Sequence, residues 1–545
     1  MQEKKEKNKE KKEKQSPKVL VLGLDGATFD LITPWIKAGK LPGFKQLLAQ
    51  SSHGILNSTI PPNTCPAWPS FYTGKNPGKF GLYYFTTIKP NSYDMHFYNF
   101  HDIKTPTLWD VLGDAGKKCM VLDIPTTYPA KPINGVMVSG GAHDLEKSVL
   151  PKSFKKQLPK DYLMNPEIFA VAGPQRYIKQ NFLVTQQRID LINKALTEDY
   201  DFIMCVLRIT DYFAHRFWGS MISTNPDNPF KDMLLKAYEC VDKFLLTLLE
   251  RQKKEQFTLL VISDHGNGPI TKKFYLNQWL IQEGYLHIKK EKISRKIEKW
   301  GFNQKNVVRL LKKLHIDKLA KKLPESWKRK VPAGGKGTSL ENTEVDWENT
   351  TVFSHNDQIF INEKGKRPKG IVDPKDSPAL RKEIKRKLTA FKDPRTQTSM
   401  GVQVYTKEEI YTGPYYDNAP DLQMSVGFRV AGKIGMPHLV EEIAETEGNF
   451  LTSIHKKEGI FFATGPDIET QSLKPLEIRD CFPTILHLFG LPVDKDVDGK
   501  VAKHIFKKTS KPGNQEVTYA STSPTAKEKE RLDKALDAAI DQAKL

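Results

Sequence analysis

The chain has no apolar run near the roughly 18 residues needed to span a bilayer, which excludes a membrane-spanning helix. Cysteine is scarce: five residues in 545, Cys65, Cys119, Cys205, Cys240 and Cys481, with no C-x-x-C pair. An odd count so dispersed does not make a disulfide framework, and the thiols are expected to be reduced. Cys119 and Cys205 lie in apolar runs and read as small core residues. The first 17 residues are charged, and no apolar segment follows them before the short run VLVLGLD. That pattern excludes a secretory signal and leads to the expectation of a cytoplasmic protein. Acidic residues are outnumbered, 64 Asp and Glu against 84 Lys and Arg, leaving a net charge of +20. No internal repeat is present.

What is there suits a large soluble protein. A hydrophobic share of 39% supports a packed core, and 27% charged residues favour solubility. One dominant core with insertions is expected at this length. The surplus charge is concentrated: residues 289–330 hold 16 Lys or Arg against 4 Asp or Glu, a net of +12. Such a block either attracts an anionic surface, lipid or nucleic acid, or a phosphorylated substrate, or it is the solvated outer face of a helical insertion.

The pattern of runs predicts an α/β fold, a mostly parallel central sheet flanked by helices, with an inserted helical basic cap. VLVLGLD ends at Asp25-Gly26 and reads as a strand buried on both faces. KCMVLDIP, VMVSGG, DFIMCVLRITD, FTLLVISDHG and GIFFATGPD resemble it. Amphipathic stretches such as QRIDLINKALTED and KDMLLKAYECVDKFLLTLLERQKK lie between them, the alternation of crossover units. The expected division is a charged tail at 1–17, a core at 18–285, the basic cap at 286–345, the rest of the core at 346–508, and a polar linker with a C-terminal helix at 509–545.

Ligands of open parallel sheets bind at the carboxyl ends of the strands. Asp25, Asp211 and Asp264 each fall at or beside such an end, so three carboxylates are expected to converge. Taken alone, an Asp before Gly such as Asp25 is more often a turn residue than a ligand. Asp211 and His215 are four apart in TDYFAH, which puts both on one helical face to grip a cation or to bond each other. Asp264 and His265 stand on a Gly-rich turn whose glycines permit a sharp bend. His455, in the loop SIHKKEG, adds another nitrogen. Thr64, in TIPPNTCPAWPS, has a hydroxyl that needs a base or a metal to become nucleophilic. It precedes a helix expected to begin near Pro66, where it is either a cap or a nucleophile beside a phosphate-binding helix end. Histidine and carboxylate donors suit zinc or manganese. Together the seven residues supply the parts of a two-metal phosphoryl-transfer site.

The segments VLGLDGATFD, PPNTCPAWPSFYTGKNPG, TDYFAH, SDHGNGP and SIHKKEGIFFATGP resemble, in that order, the motifs of the alkaline phosphatase superfamily, specifically type I phosphodiesterase/nucleotide pyrophosphatase-like proteins. The resemblance spans roughly residues 18–505 without the basic insertion. It implies two divalent ions, zinc or in some relatives manganese. Asp211, His215 and His455 would hold one; Asp25, Asp264, His265 and the Thr64 oxygen would hold the other. Thr64 would be the nucleophile, passing through a phospho-threonine intermediate, with phosphate diesters or nucleotide pyrophosphates as substrates. Phe80 departs from the pattern, standing where related proteins carry His, and leaves that position without a polar substrate contact.

Three further readings share these residues. A mutase of phosphoglycerate type would use the same core and ligands, with Arg and His on an inserted domain, a plan the Lys-rich insertion does not show. A non-catalytic scaffold would use residues 289–330 to bind membrane or nucleic acid. A sulfatase would need C-x-P-x-R, and Cys65 is followed by Pro66, Ala67, Trp68 and Pro69. Lys75 either meets a phosphate oxygen or points to solvent.

Overall fold

A computed structural model describes residues 18–89, 91–141, 144–166, 173–289, 345–432, 438–443 and 451–520. The charged tail, the basic segment 290–344 and the C-terminal helix expected after residue 520 lie outside the described residues.

Ten strands form the central sheet. Val19–Leu24 runs through its middle, parallel to Phe202–Leu207 on one side and to Thr258–Ile262 on the other. Cys119–Leu122 and Gly135–Val138 continue the parallel order beyond Phe202–Leu207. The expected mostly parallel sheet is therefore present. Glu458–Thr464 departs from it, running antiparallel both to Thr258–Ile262 and to Ser52–Asn57. This reversal has a positional consequence: a residue just before Glu458–Thr464 arrives at the same sheet edge as residues just after the parallel strands.

Every residue of Val19–Leu24 is buried, as its unbroken apolar run requires of a strand covered on both faces. Leu20, Leu22 and Leu24 face one layer, where helices Pro174–Thr197 and Met233–Glu255 pack. Val19 and Val21 face the other, with helices Thr64–Thr73 and Cys481–Leu488. The period of two along the strand thus divides the core into two layers. Cys119 and Cys205 are wholly buried within them.

A smaller antiparallel sheet is built from Val352–His355, Gln358–Ile361, Leu422–Ser425 and Gln403–Thr406. It has its own apolar cluster, in which Phe353, Phe360, Leu422 and Met424 pack with Ile384 and Leu388 of helix Ser377–Thr389. Among the described residues no helix is long and apolar enough to cross a membrane.

At Gly23 the main sheet and the Thr64 helix meet closely. A Cβ added there would lie 2.6 Å from Trp68 Cη2 and 2.8 Å from Val206 Cγ2. Trp68 is completely buried, so its indole has no open space to retreat into. Gly23→Ala is expected to cost about 1–3 kcal/mol through overpacking, read as a lower urea midpoint. An unchanged midpoint would contradict the close packing of this helix on the sheet.

Candidate active site

The seven side chains singled out in the sequence converge at one edge of the central sheet. Asp25 follows Val19–Leu24 directly, and Asp264 lies just past Thr258–Ile262. Asp211 is not itself at a strand end but in the first turn of helix Ile209–Met221, with His215 one turn further on. Nor is His455 in a loop: it lies on the short strand Ser453–Lys456, where Asn267 of Gly266–Pro269 stands opposite it. That pairing and the reversed strand after it bring His455 to the parallel-strand edge. Thr64 is the first residue of helix Thr64–Thr73, two positions earlier than expected, and the cap is Asn63, whose side chain accepts from the Cys65 N–H at 3.0 Å. The positive end of a wholly buried helix therefore meets the site.

The distances define two overlapping groups. Asp25, Asp264 and His265 offer ligand atoms within 4.8 Å of one another, and so do Asp211, His265 and His455. His265 Nε2 lies 3.3 Å from Asp264 Oδ2, 3.6 Å from Asp25 Oδ1 and 3.1 Å from Thr64 Oγ1. His215 Nε2 lies 3.4 Å from Asp211 Oδ1 and 2.9 Å from His455 Nε2, and His455 Nε2 is 3.6 Å from Asp211 Oδ1.

The outward nitrogens of all three imidazoles are held by acceptors. His265 Nδ1 meets the Gly266 carbonyl at 3.0 Å, and His455 Nδ1 meets the Pro62 carbonyl at 3.1 Å. His215 Nδ1 meets the Ser453 hydroxyl at 3.0 Å and its carbonyl at 3.3 Å. These acceptors fix the proton on Nδ1 and turn the Nε2 lone pairs inward, the arrangement that orients histidine toward a metal. As a result two lone pairs, on His215 and His455, face each other across 2.9 Å.

Charge at the site tells the same story. Burial, then the nearby Asp264 and Asp211, push the Asp25 carboxyl well above its ordinary range. Burial, then repulsion by Asp211, likewise raises Asp264, although His265 opposes the shift. Burial also opposes ionisation of Asp211, but His215, His455 and His265, together with the Asn267 amide, outweigh it and hold that carboxyl at about 2. Burial and the adjacent His265 keep His455 well below the usual imidazole range, hence neutral. Asp25 Oδ1 and Asp264 Oδ2 are buried without any hydrogen-bond partner. Buried acceptors so placed are costly unless a cation satisfies them. The inward lone pairs and orphaned carboxylate oxygens fit divalent cations.

Residues not foreseen from the sequence hold these groups in place. Asn267 Nδ2 donates to Asp211 Oδ1 and to the Gly26 carbonyl, both at 3.0 Å, and its Oδ1 accepts from Ser453 Oγ at 3.1 Å. Gly26 donates its N–H to Asp264 Oδ1 at 3.1 Å. Its φ is +65°, and a Cβ there would stand 2.2 Å from the Asn267 amide and 2.8 Å from Asp211 Oδ1. Asp25-Gly26 was legible as a turn, but the role of its glycine as a crossing point was not. Asn267 sits two residues past His265, and that adjacency is the only signal it gave.

A cavity of about 430 Å³ opens over Thr64, Asp211, His215 and His455. Its outer wall comes from Tyr84, Phe85 and the smaller sheet. Lys75 takes neither of its expected roles: it is paired with Asp496 at 2.8 Å. Phe80 is 1% exposed and belongs to the core. Burial pushes the Cys65 thiol well up, so it stays protonated at neutral pH, which disfavours it as a nucleophile.

The sequence profile of the type I phosphodiesterase / nucleotide pyrophosphatase family matches residues 19–449. The chain belongs to that family, within the alkaline phosphatase superfamily. No curated protein sequence matches it. Similar solved structures include murine ectonucleotide pyrophosphatase / phosphodiesterase 5, as an inactive variant in complex with AMP and in a second structure, each at 13% identity and a TM-score of 0.48. The human counterpart is similar at 14% identity and the same TM-score. Each of the three covers 90% of this chain and 100% of its own.

Zinc added to metal-free protein is expected to raise its melting temperature, by a stabilisation of about 2.7 kcal/mol at a hundredfold excess over Kd. Asp264→Ala is expected to remove most of that rise. An equal rise in both proteins, followed by calorimetry, would place the binding elsewhere.

Proposed function

We propose that this protein hydrolyses phosphate diesters or nucleotide pyrophosphates through a phosphoryl intermediate on Thr64, supported by two divalent cations, zinc or alternatively manganese. The observation that carries the reading is the Thr64 hydroxyl 3.1 Å from His265 Nε2, at the mouth of a buried carboxylate and imidazole cluster. Asp25, Asp264, His265 and the Thr64 oxygen would hold one cation; Asp211, His215 and His455 would hold the other. Cations bound there would neutralise phosphoryl oxygens and favour ionisation of a bound hydroxyl.

The chain's own groups set the course of the reaction. Thr64 Oγ1 opens into the cavity from the first turn of a helix, so the helix dipole favours an anionic phosphoryl group beside it. As the Thr64 O–P bond forms, the P–O bond to the departing group breaks, and the threonine proton ends on the released alcohol. Water then cleaves the Thr64 ester, giving a phosphate monoester and free Thr64. The cavity leaves room for a second ester substituent, which supports diesters over monoesters.

Thr64→Ala is expected to lower turnover of a p-nitrophenyl phosphodiester by at least about a thousandfold while bound zinc, measured by elemental analysis, stays at the wild-type level. Equal turnover in the two proteins would eliminate Thr64 as nucleophile.

A further inference from the structure

The two strands Val352–His355 and Gln358–Ile361 of the smaller sheet are joined by a two-residue turn, Asn356-Asp357, across the His355–Gln358 pair. Asn356 takes the left-handed conformation such a turn needs, with φ of +53°. The turn brings Asp357 to the wall of the cavity that also contains Thr64, His215 and His455.

Among the described residues Asp357 forms no ion pair, and Arg429, which also lines the cavity, is exposed and not paired with it. Asp357 Oδ1 is closed off from solvent without a hydrogen-bond partner. Burial pushes the group up to about 7, opposed only by neutral donors, its own backbone N–H and the Gln423 amide. An acid left in this condition is expensive to keep in a turn where Asn or Gly would serve the backbone equally well. The same cavity is walled on this side by the rings of Tyr84 and Phe428, whose faces attract cations. A carboxyl without an ion-pair partner among the described residues and the rings of Tyr84 and Phe428, on the side of the cavity formed by the smaller sheet, together form a receptor for positively charged nitrogen.

We propose that Asp357 is the specificity-determining residue of this site, the counter-ion for an ammonium group carried by the substrate on the ester substituent that occupies the cavity. The inference rests on the phosphodiesterase reading above and adds the class of substituent.

The test compares 2-aminoethyl p-nitrophenyl phosphate with ethyl p-nitrophenyl phosphate in zinc-loaded protein, with guanosine 5′-p-nitrophenyl phosphate as a third substrate. Wild type is expected to favour the aminoethyl over the ethyl ester by about tenfold or more in kcat/KM. Asp357→Asn, nearly isosteric, is expected to bring that ratio close to one and leave ethyl ester turnover unchanged within about twofold. A ratio that is the same in both proteins overturns the proposal. So does a preference for the guanosine ester that depends on Asp357 when no preference for the amine exists, since that would assign the carboxyl to a neutral base edge. If the variant loses both simple esters, the wild-type ratio decides, and a value near one overturns the proposal. Failure of wild type to turn over any ester contradicts the phosphodiesterase reading itself and takes this inference with it.

Discussion

Three carboxylates buried at one sheet edge are the constraint around which the rest of the site is organised. Asp25 and Asp264 lie wholly inside the protein, with one oxygen of each left without a donor. Like charges at such separations in a low-dielectric interior repel strongly, and no Lys or Arg forms an ion pair with Asp25, Asp211 or Asp264 among the described residues. The acceptors that hold Nδ1 on each imidazole leave Nε2 turned toward these carboxylates.

The fold makes this arrangement possible through strand direction. Parallel strands deliver Asp25 and Asp264, a helix that follows a third delivers Asp211 and His215, and an antiparallel strand delivers His455 from the opposite sense of the chain. Gly26 and Asn267 then tie the pieces together, one because it lacks a side chain and the other because its amide can donate and accept at once. Gly23 does the same work three residues earlier, admitting Trp68 and so fixing the helix that begins at Thr64.

Much of this was visible in the sequence, and the reasons are physical. Continuous apolar runs ending in Asp-Gly or Ser-Asp-His mark buried strands, and the recurrence of acidic residues at their carboxyl ends is what let Asp25, Asp264 and His265 be named together. Asp211 and His215 showed their shared face through helical spacing. What local pattern cannot carry is partnership across the chain. Lys75 finds Asp496 more than four hundred residues away, Asn267 finds Asp211, and the reversed direction of Glu458–Thr464 follows from neighbours on both sides. Nothing local to the smaller sheet said that the turn between Val352–His355 and Gln358–Ile361 would bring Asp357 into the same cavity as Thr64.

The cavity therefore combines two layers with different duties: the central sheet supplies the reactive cluster, and the smaller sheet supplies the opposite wall. The claim beneath both is that the cluster cages two cations beside one threonine hydroxyl. Anomalous diffraction at the zinc edge from zinc-grown crystals tests it directly. The account predicts two peaks, one among Asp25, Asp264, His265 and Thr64 and one among Asp211, His215 and His455. The absence of anomalous density within this cluster, or zinc bound only at other positions, would contradict it.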